Sequence, residues 1–282
     1  MKVRKIKKYL KKSLKYVKNK DFNKALKEYK KVPICYLNSI SLVNRGICYL
    51  ELGLYPQAIR DFKQSIKIDS RNSYAYHNIG LAYAKLTMYK KAIKNLTKAI
   101  YFQYDYANTY CIRGYCYMNL GKYSNAISDL TKAIELNPQY IRAYINRSSA
   151  YLCSKQYEKA IDDCTKLNNL DSKSGYHNRG IAYAFLEKYK EALFDFSMVI
   201  KIEPKKYHGY FHRGNVYSDI KQYEFAIKDY SNAIELAPTD IAGSIYKIRA
   251  QRYKKIRLEA QARADFKKAQ ELYNPNNKII IL

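Results

Sequence analysis

Residues 44–62 read NRGICYLELGLYPQAIRDF, and this pattern of small, aromatic and charged residues returns five more times along the chain. The other copies are NIGLAYAKLTMYKKAIKNL (78–96), IRGYCYMNLGKYSNAISDL (112–130), NRSSAYLCSKQYEKAIDDC (146–164), NRGIAYAFLEKYKEALFDF (178–196) and HRGNVYSDIKQYEFAIKDY (212–230). One alanine of the pattern falls at Ala25, Ala58, Ala92, Ala126, Ala160, Ala192, Ala226 and Ala262, at intervals of 32–36 residues. A fixed period of this length indicates stacked structural repeats.

The pattern within one copy predicts two helices. The first carries a small residue at its eighth position, which is Gly46, Gly80, Gly114, Ser148, Gly180, Gly214 or Ala250. Glycine in a helix interior costs about 1 kcal/mol relative to alanine, so we expect close packing of the paired helix to compensate. Tyrosines at the fourth and eleventh positions, such as Tyr176 and Tyr183, share one helix face and are expected to fill the space between helices.

The Y-x-x-A-I-x-D-F/Y-x-x-A-I motif, as in Tyr223–Ile234, and the 34-residue period resemble the tetratricopeptide repeat family. The resemblance implies an all-α, right-handed superhelical solenoid of antiparallel helix pairs, with the first helix of each pair lining a concave groove. We expect a single solenoid domain over residues 1–282. Its repeats are placed at 6–38, 39–72, 73–106, 107–140, 141–172, 173–206, 207–242 and 243–276, the first and last degenerate, before a short tail at 277–282.

The composition excludes several classes of protein. Hydrophobic residues make up 48% of the 282 residues, which is enough for a folded core. No apolar run approaches the length of a membrane span, and the basic N-terminus lacks the features of a secretory signal. The six cysteines form no C-x-x-C pair and are expected to be free thiols, which predicts a cytoplasmic, reducing location.

The net charge of +28 is concentrated at the two ends. Residues 1–31 hold 14 basic and 2 acidic residues, and residues 247–268 hold 9 basic and 2 acidic residues. Such surfaces attract nucleic acid, anionic lipid or an acidic protein, although a lysine-rich composition that only keeps the chain soluble explains the charge equally well.

The sequence offers no catalytic site, and we expect a protein that is not an enzyme. It lacks the common nucleotide, hydrolase and metalloprotease motifs. Aspartates at one repeat position (Asp61, Asp129, Asp163, Asp195, Asp229 and Asp265) are interpreted as structural or surface residues. His208 and His212 with His177 could approach one metal ion, but no carboxylate or cysteine completes the set, so neither a metal nor a cofactor is predicted.

Asparagine recurs at the sixth position of the first helix, at Asn44, Asn78, Asn146 and Asn178. Asparagine is a poor helix former, and its amide can bind a peptide backbone. The row is similar to the asparagine ladder of O-linked N-acetylglucosamine transferases, although it could instead be an inherited consensus residue. We therefore predict that an extended or helical peptide binds in a groove lined by Asn44, Tyr74, His77, Asn78, Asn108, Arg142, Asn146, Asn178, His212 and Asn215.

Two other repeat functions are less consistent with the residues. The carboxylate clamp of chaperone-binding members would match Asn146, but Cys111 and Tyr115 stand where the clamp needs lysine and asparagine. Base reading by pentatricopeptide proteins depends on other positions than those conserved between these copies. The main prediction is a scaffold or adaptor for a protein partner, an acidic one included. The alternative is a basic module that binds nucleic acid or an anionic surface through its charged ends.

Overall fold

The computed structural model describes residues 3–170 and 174–272, and every regular element in these ranges is helical. The helices are α1 (Val3–Lys18), α2 (Phe22–Tyr29), α3 (Ser39–Glu51), α4 (Tyr55–Ile68), α5 (Ser73–Lys85), α6 (Tyr89–Tyr101), α7 (Ala107–Asn119), α8 (Tyr123–Leu136), α9 (Ile141–Cys153), α10 (Tyr157–Asn169), α11 (Gly175–Phe185), α12 (Tyr189–Ile202), α13 (Tyr207–Asp219), α14 (Tyr223–Leu236), α15 (Thr239–Lys255) and α16 (Glu259–Glu271). A short 3₁₀ helix, Ile34–Tyr36, follows α2. The prediction of an all-α chain of helix pairs is confirmed.

The chain divides into an N-terminal unit, residues 1–146, and a C-terminal unit, residues 147–282. In the N-terminal unit, α1–α2, α3–α4, α5–α6 and α7–α8 pack as antiparallel pairs. The second helices α2, α4 and α6 also pack on α3, α5 and α7, and the first helices α1, α3, α5 and α7 each touch the next in this series. The C-terminal unit repeats this arrangement with the pairs α11–α12, α13–α14 and α15–α16, and α10 packs on α11.

The close approach within each pair depends on the small residues that the pattern predicts. The alanine that marks each repeat has no exposed surface in any of the eight copies. A Cβ atom added to Gly80 would lie 2.5 Å from Cγ of Leu96 in the paired helix, so a side chain there would have to displace that of Leu96. Cys48 and Cys116 are fully buried, as are Ala82, Ala150 and Ala182 at the equivalent position of other copies, so these cysteines act as small apolar residues.

The turn inside each pair contains one residue with a left-handed backbone. It is Lys20, Gly53, Thr87, Gly121, Lys155, Glu187, Lys221 or Arg257, with φ between 56° and 74°. Only two of these eight turns use glycine, the residue that adopts this conformation without steric cost. The hairpin geometry therefore overrides local preference at the other six.

None of the described helices is both long enough and apolar enough to cross a membrane. The predicted tail at 277–282 lies outside the described residues.

Candidate functional site

The first helices of the C-terminal unit surround a cavity of about 460 Å³, which we call the C-terminal groove. Most of its surface is apolar, as is usual for sites that hold a ligand side chain. The lining residues are Ser149, Leu152, Cys153, Lys155, Tyr157, His177, Asn178, Ile181, Phe185, Tyr207, His208, Phe211, His212, Ile241, Ser244, Ile245 and Ile248.

Helical periodicity explains which side chains reach this groove. His177, Ile181 and Phe185 are spaced by four residues along α11, so they form one stripe on that helix. On α13, Tyr207 and Phe211 form a second stripe. Tyr157, the first residue of α10, is the one lining residue that comes from a second helix of a pair. The groove thus lies on the first-helix face of its unit, the face that the family resemblance assigned to ligand binding.

Three histidines lie close together in the lining of the groove, with His177 and His212 in its floor and His208 exposed. The ring centroid of His177 is 5.0 Å from that of His212 and 6.1 Å from that of His208, and His212 stacks on Phe196 at 5.4 Å. Burial lowers the pKa of His177 to about 4 and that of His212 to about 3, with a smaller contribution from the neighbouring imidazoles. Both rings are therefore neutral near pH 7, and the floor behaves as an aromatic, uncharged surface.

The histidines do not form a metal site. Among residues 3–170 and 174–272, no group of three or more His, Cys, Asp or Glu side chains is arranged to hold a metal ion.

One lysine stands at the rim of this uncharged groove. Lys155 is exposed and occupies the left-handed position of the α9–α10 turn, with φ of 58°. Beside it in the lining, the ring of Tyr157 stacks on the ring of Phe185 with centroids 5.0 Å apart and planes only 7° from parallel. Phe185 is nevertheless 57% exposed, so its free face is available to a ligand. The rim thus combines a cation with a rigid aromatic platform.

Two of the three predicted groove residues of the C-terminal unit line the C-terminal groove. His212 lies in its floor, and Asn178 lies in its wall, where the amide donates hydrogen bonds to the hydroxyls of Ser148 at 2.9 Å and Ser149 at 3.0 Å. Asn215 is not among the lining residues. Its side-chain oxygen accepts a hydrogen bond from the buried hydroxyl of Tyr230 at 2.8 Å.

In the N-terminal unit, α5 carries three of the predicted residues in different environments. Tyr74 is 41% exposed, and its ring lies 5.5 Å from that of Tyr104. His77 is buried, with Nδ1 3.0 Å from the hydroxyl of Thr109. Asn78 is also buried, and its amide donates to the carbonyl oxygen of Tyr74 one helical turn earlier at 2.8 Å. Of these three side chains, Tyr74 is the one that presents substantial surface to solvent.

The other predicted residues of this unit lie on α3, α7 and α9. Asn44 is half-buried. Asn108 accepts a hydrogen bond from the hydroxyl of Tyr140 at 2.9 Å, and Arg142 is exposed. The amide of Asn146 donates to the sulfur of Cys111 at 3.6 Å. Three asparagines of the row, Asn78, Asn146 and Asn178, therefore already make hydrogen bonds within the chain.

The most regular polar feature of the structure is a repeated arginine–aspartate pair, of which the sequence pattern indicated only the aspartate. Each aspartate of the recurring set is buried and accepts two hydrogen bonds from an arginine sixteen residues earlier, which confirms the structural interpretation of the aspartates. The pairs are Arg45–Asp61, Arg113–Asp129, Arg147–Asp163, Arg179–Asp195, Arg213–Asp229 and Arg249–Asp265. The constant spacing was the available signal: in repeat 73–106 both members change together, to Ile79 and Asn95.

The two basic ends differ in how they use their charge. All basic residues of α1 are exposed, and the helix contains no acidic residue. Near the C-terminus, by contrast, Arg249 pairs with Asp265 and Arg252 donates to the hydroxyl of Ser218 at 2.7 Å. Part of the charge of segment 247–268 is therefore structural.

Profiles described as tetratricopeptide repeat or TPR repeat match residues 47–86, 73–106, 107–140, 130–162, 174–206 and 208–240. No curated protein matches the chain significantly.

Solved structures share the fold. A tetratricopeptide repeat protein from Parabacteroides merdae aligns over 95% of this chain and 99% of its own, with 18% identity and a TM-score of 0.64. YrrB, a TPR protein with an unusual peptide-binding site, aligns over 67% of this chain and 95% of its own, with 22% identity and a TM-score of 0.56. MamA aligns over 56% of this chain and 94% of its own, with 29% identity and a TM-score of 0.53. The repeat profiles and the stacked helix pairs together show that the chain belongs to the tetratricopeptide repeat family.

Proposed function

We propose that this protein is an interaction scaffold that captures a peptide segment of another protein on its first-helix face. The observation that carries the proposal is the C-terminal groove, an apolar cavity of about 460 Å³ lined by residues of α9, α11, α13 and α15. Its volume is in the range of roughly 300–1,000 Å³ found for ligand sites, and the two histidines of its floor, His177 and His212, are uncharged near neutral pH. The peptide-binding site of YrrB, a protein of the same fold, is consistent with this role.

The remaining predicted contacts belong to the same proposal. In the N-terminal unit, Tyr74, Asn108 and Arg142 are exposed and are the best candidates for further peptide contacts. Asn44, Asn78 and Asn146 are more buried and offer less surface to a peptide. The amides of Asn78 and Asn146 also donate a hydrogen bond within the chain already. The scaffold needs no cofactor, and we assign it no catalytic role.

A comparison of two phenylalanines tests the proposal. Phe185 and Phe194 are 57% and 59% exposed, but only Phe185 lines the C-terminal groove. Peptides selected from a phage-displayed random library on the full chain should lose about tenfold in affinity for the Phe185→Ala variant, as expected for an aromatic anchor. They should bind the Phe194→Ala variant like the original protein. Selected peptides that bind both variants equally, or no selected peptide at all, would refute peptide capture in this groove.

A second candidate function rests on α1. Its eight exposed basic residues form a surface without any acidic residue, which fits an anionic partner such as nucleic acid or a lipid headgroup layer. Salt distinguishes the two functions, because binding to a polyanion weakens steeply with ionic strength whereas apolar contacts in a groove do not.

A further inference from the structure

We infer that the C-terminal groove selects peptides in which a large apolar residue is flanked by an acidic residue. This inference rests on the proposed function and deepens it by naming the chemistry of the partner. The apolar residue enters the groove, and the carboxylate pairs with Lys155 at the rim.

The charge of the groove lining favours an acidic group in the ligand. Among the described lining residues, Lys155 is the only lysine or arginine, and none is an aspartate or glutamate. The three lining histidines all have a pKa below the ordinary value because of burial. Two acidic groups lie close to lining residues without being part of the lining. Glu203 shares a smaller cavity with His177 and is paired with Lys206 at 2.6 Å, and Asp240 acts on the hydroxyl of Tyr207. The described lining itself therefore offers a partner to a carboxylate, Lys155, and no carboxylate to a basic side chain.

The geometry of the rim places the lysine close to an apolar surface. Lys155 is held in a short turn with a fixed left-handed backbone, directly before the helix that begins with Tyr157. Tyr157 and Phe185 are stacked in parallel and form a flat apolar surface at the same place. An apolar side chain on this surface thus lies near the lysine, so that one short peptide can satisfy both.

The same fold supplies a matched control for the charge. Lys221 occupies the equivalent left-handed position of the α13–α14 turn, with φ of 62° compared with 58° at Lys155, and it is also exposed. Lys221 does not line the groove. Replacing either lysine with glutamate makes the same change in net charge, and it puts the same residue at the same position of an equivalent turn.

Affinities are measured at moderate salt by fluorescence anisotropy of labelled peptides selected by phage display. Each selected peptide is compared with a second version in which its acidic residue is replaced by lysine. We expect the full-length protein and Lys221→Glu to prefer the acidic version, and Lys155→Glu to prefer the lysine version. The loss of the acidic peptide on Lys155→Glu should be about threefold or more, since the pair is near the surface.

Several outcomes would overturn the inference while leaving the proposed function intact. Peptides that depend on Phe185 but lack an acidic residue, or that respond equally to Lys155→Glu and Lys221→Glu, show that the groove does not read charge. The tail at 277–282 contains Ile279, Ile280, Ile281 and Leu282. If an Ile279→Glu/Ile281→Glu variant binds the peptides more tightly, the groove is assigned to this tail instead. Loss of the Phe185 dependence itself marks failure of the proposed function rather than of the charge preference.

Discussion

Arg179 of α11 and Asp195 of α12 form two parallel hydrogen bonds, from Nε to Oδ2 and from Nη2 to Oδ1, each 2.8 Å long. Asp195 has no exposed surface, and its carboxylate raises the pKa of Arg179 through the side-chain hydrogen bonds. The guanidinium also lies 5.5 Å and 5.8 Å from the ring centroids of Tyr176 and Tyr183. The recurring tyrosines thus flank the arginine, and six of the eight repeats connect their two helices through one such buried Arg–Asp pair.

Breaking this pair should destabilise the repeat more than removing both members. Asp195→Ala leaves an arginine buried without its carboxylate, which costs about 3–5 kcal/mol. Arg179→Ile with Asp195→Asn reproduces the combination Ile79/Asn95 of repeat 73–106 and should cost less. Hydrogen exchange of the α11 and α12 amides measures both free energies of opening. A double variant that is less stable than the single one would contradict this account.

The turn at Thr87 is expected to be a point of stored strain. Thr87 is β-branched and exposed, yet its φ is 56°. Thr87→Gly should stabilise the protein by about 0.5–1 kcal/mol, because glycine adopts this conformation without a Cβ clash. Gly53→Thr is the reciprocal control, since a Cβ at Gly53 meets no atom within 4 Å and only the backbone conformation is tested. Opposite shifts in melting temperature are expected, and shifts of the same sign would exclude the strain argument.

His77 should make the protein sensitive to mild acid. Burial lowers its pKa from 6.5 to about 4, so between these values the unfolded chain binds a proton that the folded chain does not. Stability is therefore lost as the pH falls from about 6.5 to about 4, by up to about 2–3 kcal/mol from this residue. His77→Gln should flatten that part of the profile of unfolding free energy against pH. His177 and His212 titrate in an overlapping range and are present in both proteins. The effect of His77 is therefore the difference between the profile of the original protein and that of His77→Gln. If the two profiles run parallel, His77 does not cause the acid sensitivity.

Substitutions of Asn178 and Asn215 should have different effects, one on peptide affinity and the other on stability. Asn178→Ala removes an amide from the wall of the C-terminal groove and should weaken capture of the selected peptides by about three- to tenfold. Asn215→Ala removes a hydrogen-bond acceptor of the buried Tyr230 and should cost about 1 kcal/mol of stability without changing the affinity. Melting temperature and peptide anisotropy are measured for both variants. Equal affinities for the two would show that Asn178 acts only within the chain.

The basic surface of α1 is tested by charge reversal. Lys5, Lys7, Lys8 and Lys11 are exposed, whereas Lys12 lies 3.5 Å from the buried Glu28 and is left unchanged to protect the α1–α2 contact. If α1 binds polyanions, changing these four lysines to Glu should abolish binding to single-stranded RNA or to anionic vesicles while the helix content by circular dichroism stays the same. The control reverses Lys247, Lys255, Arg263 and Lys267, which are exposed near the other end. Equal losses would indicate a response to net charge alone, and no binding by the unaltered protein at moderate salt would leave the charge without a binding role.

The sequence by itself determined the period, the helix pairs and the packing contacts within each pair. Gly80 against Leu96 and the buried Ala92 recur because each repeat carries the information for its own hairpin, and helical spacing places those residues on the inner face. The recurring aspartates were visible for the same reason, although their arginine partners became evident only when the two helices were placed side by side.

Only the tertiary structure decided what the asparagines bind and which residues form the groove. Asn178 donates to Ser148 and Ser149, which lie about thirty residues earlier in the chain. The C-terminal groove joins Lys155, Phe185 and Ile248 from different repeats, and no pattern within one repeat relates these three positions. A repeat stack is built from neighbour contacts, so the sequence of one repeat predicts its own core. The surface that a partner meets depends instead on side chains that differ from repeat to repeat and come together only when the repeats stack.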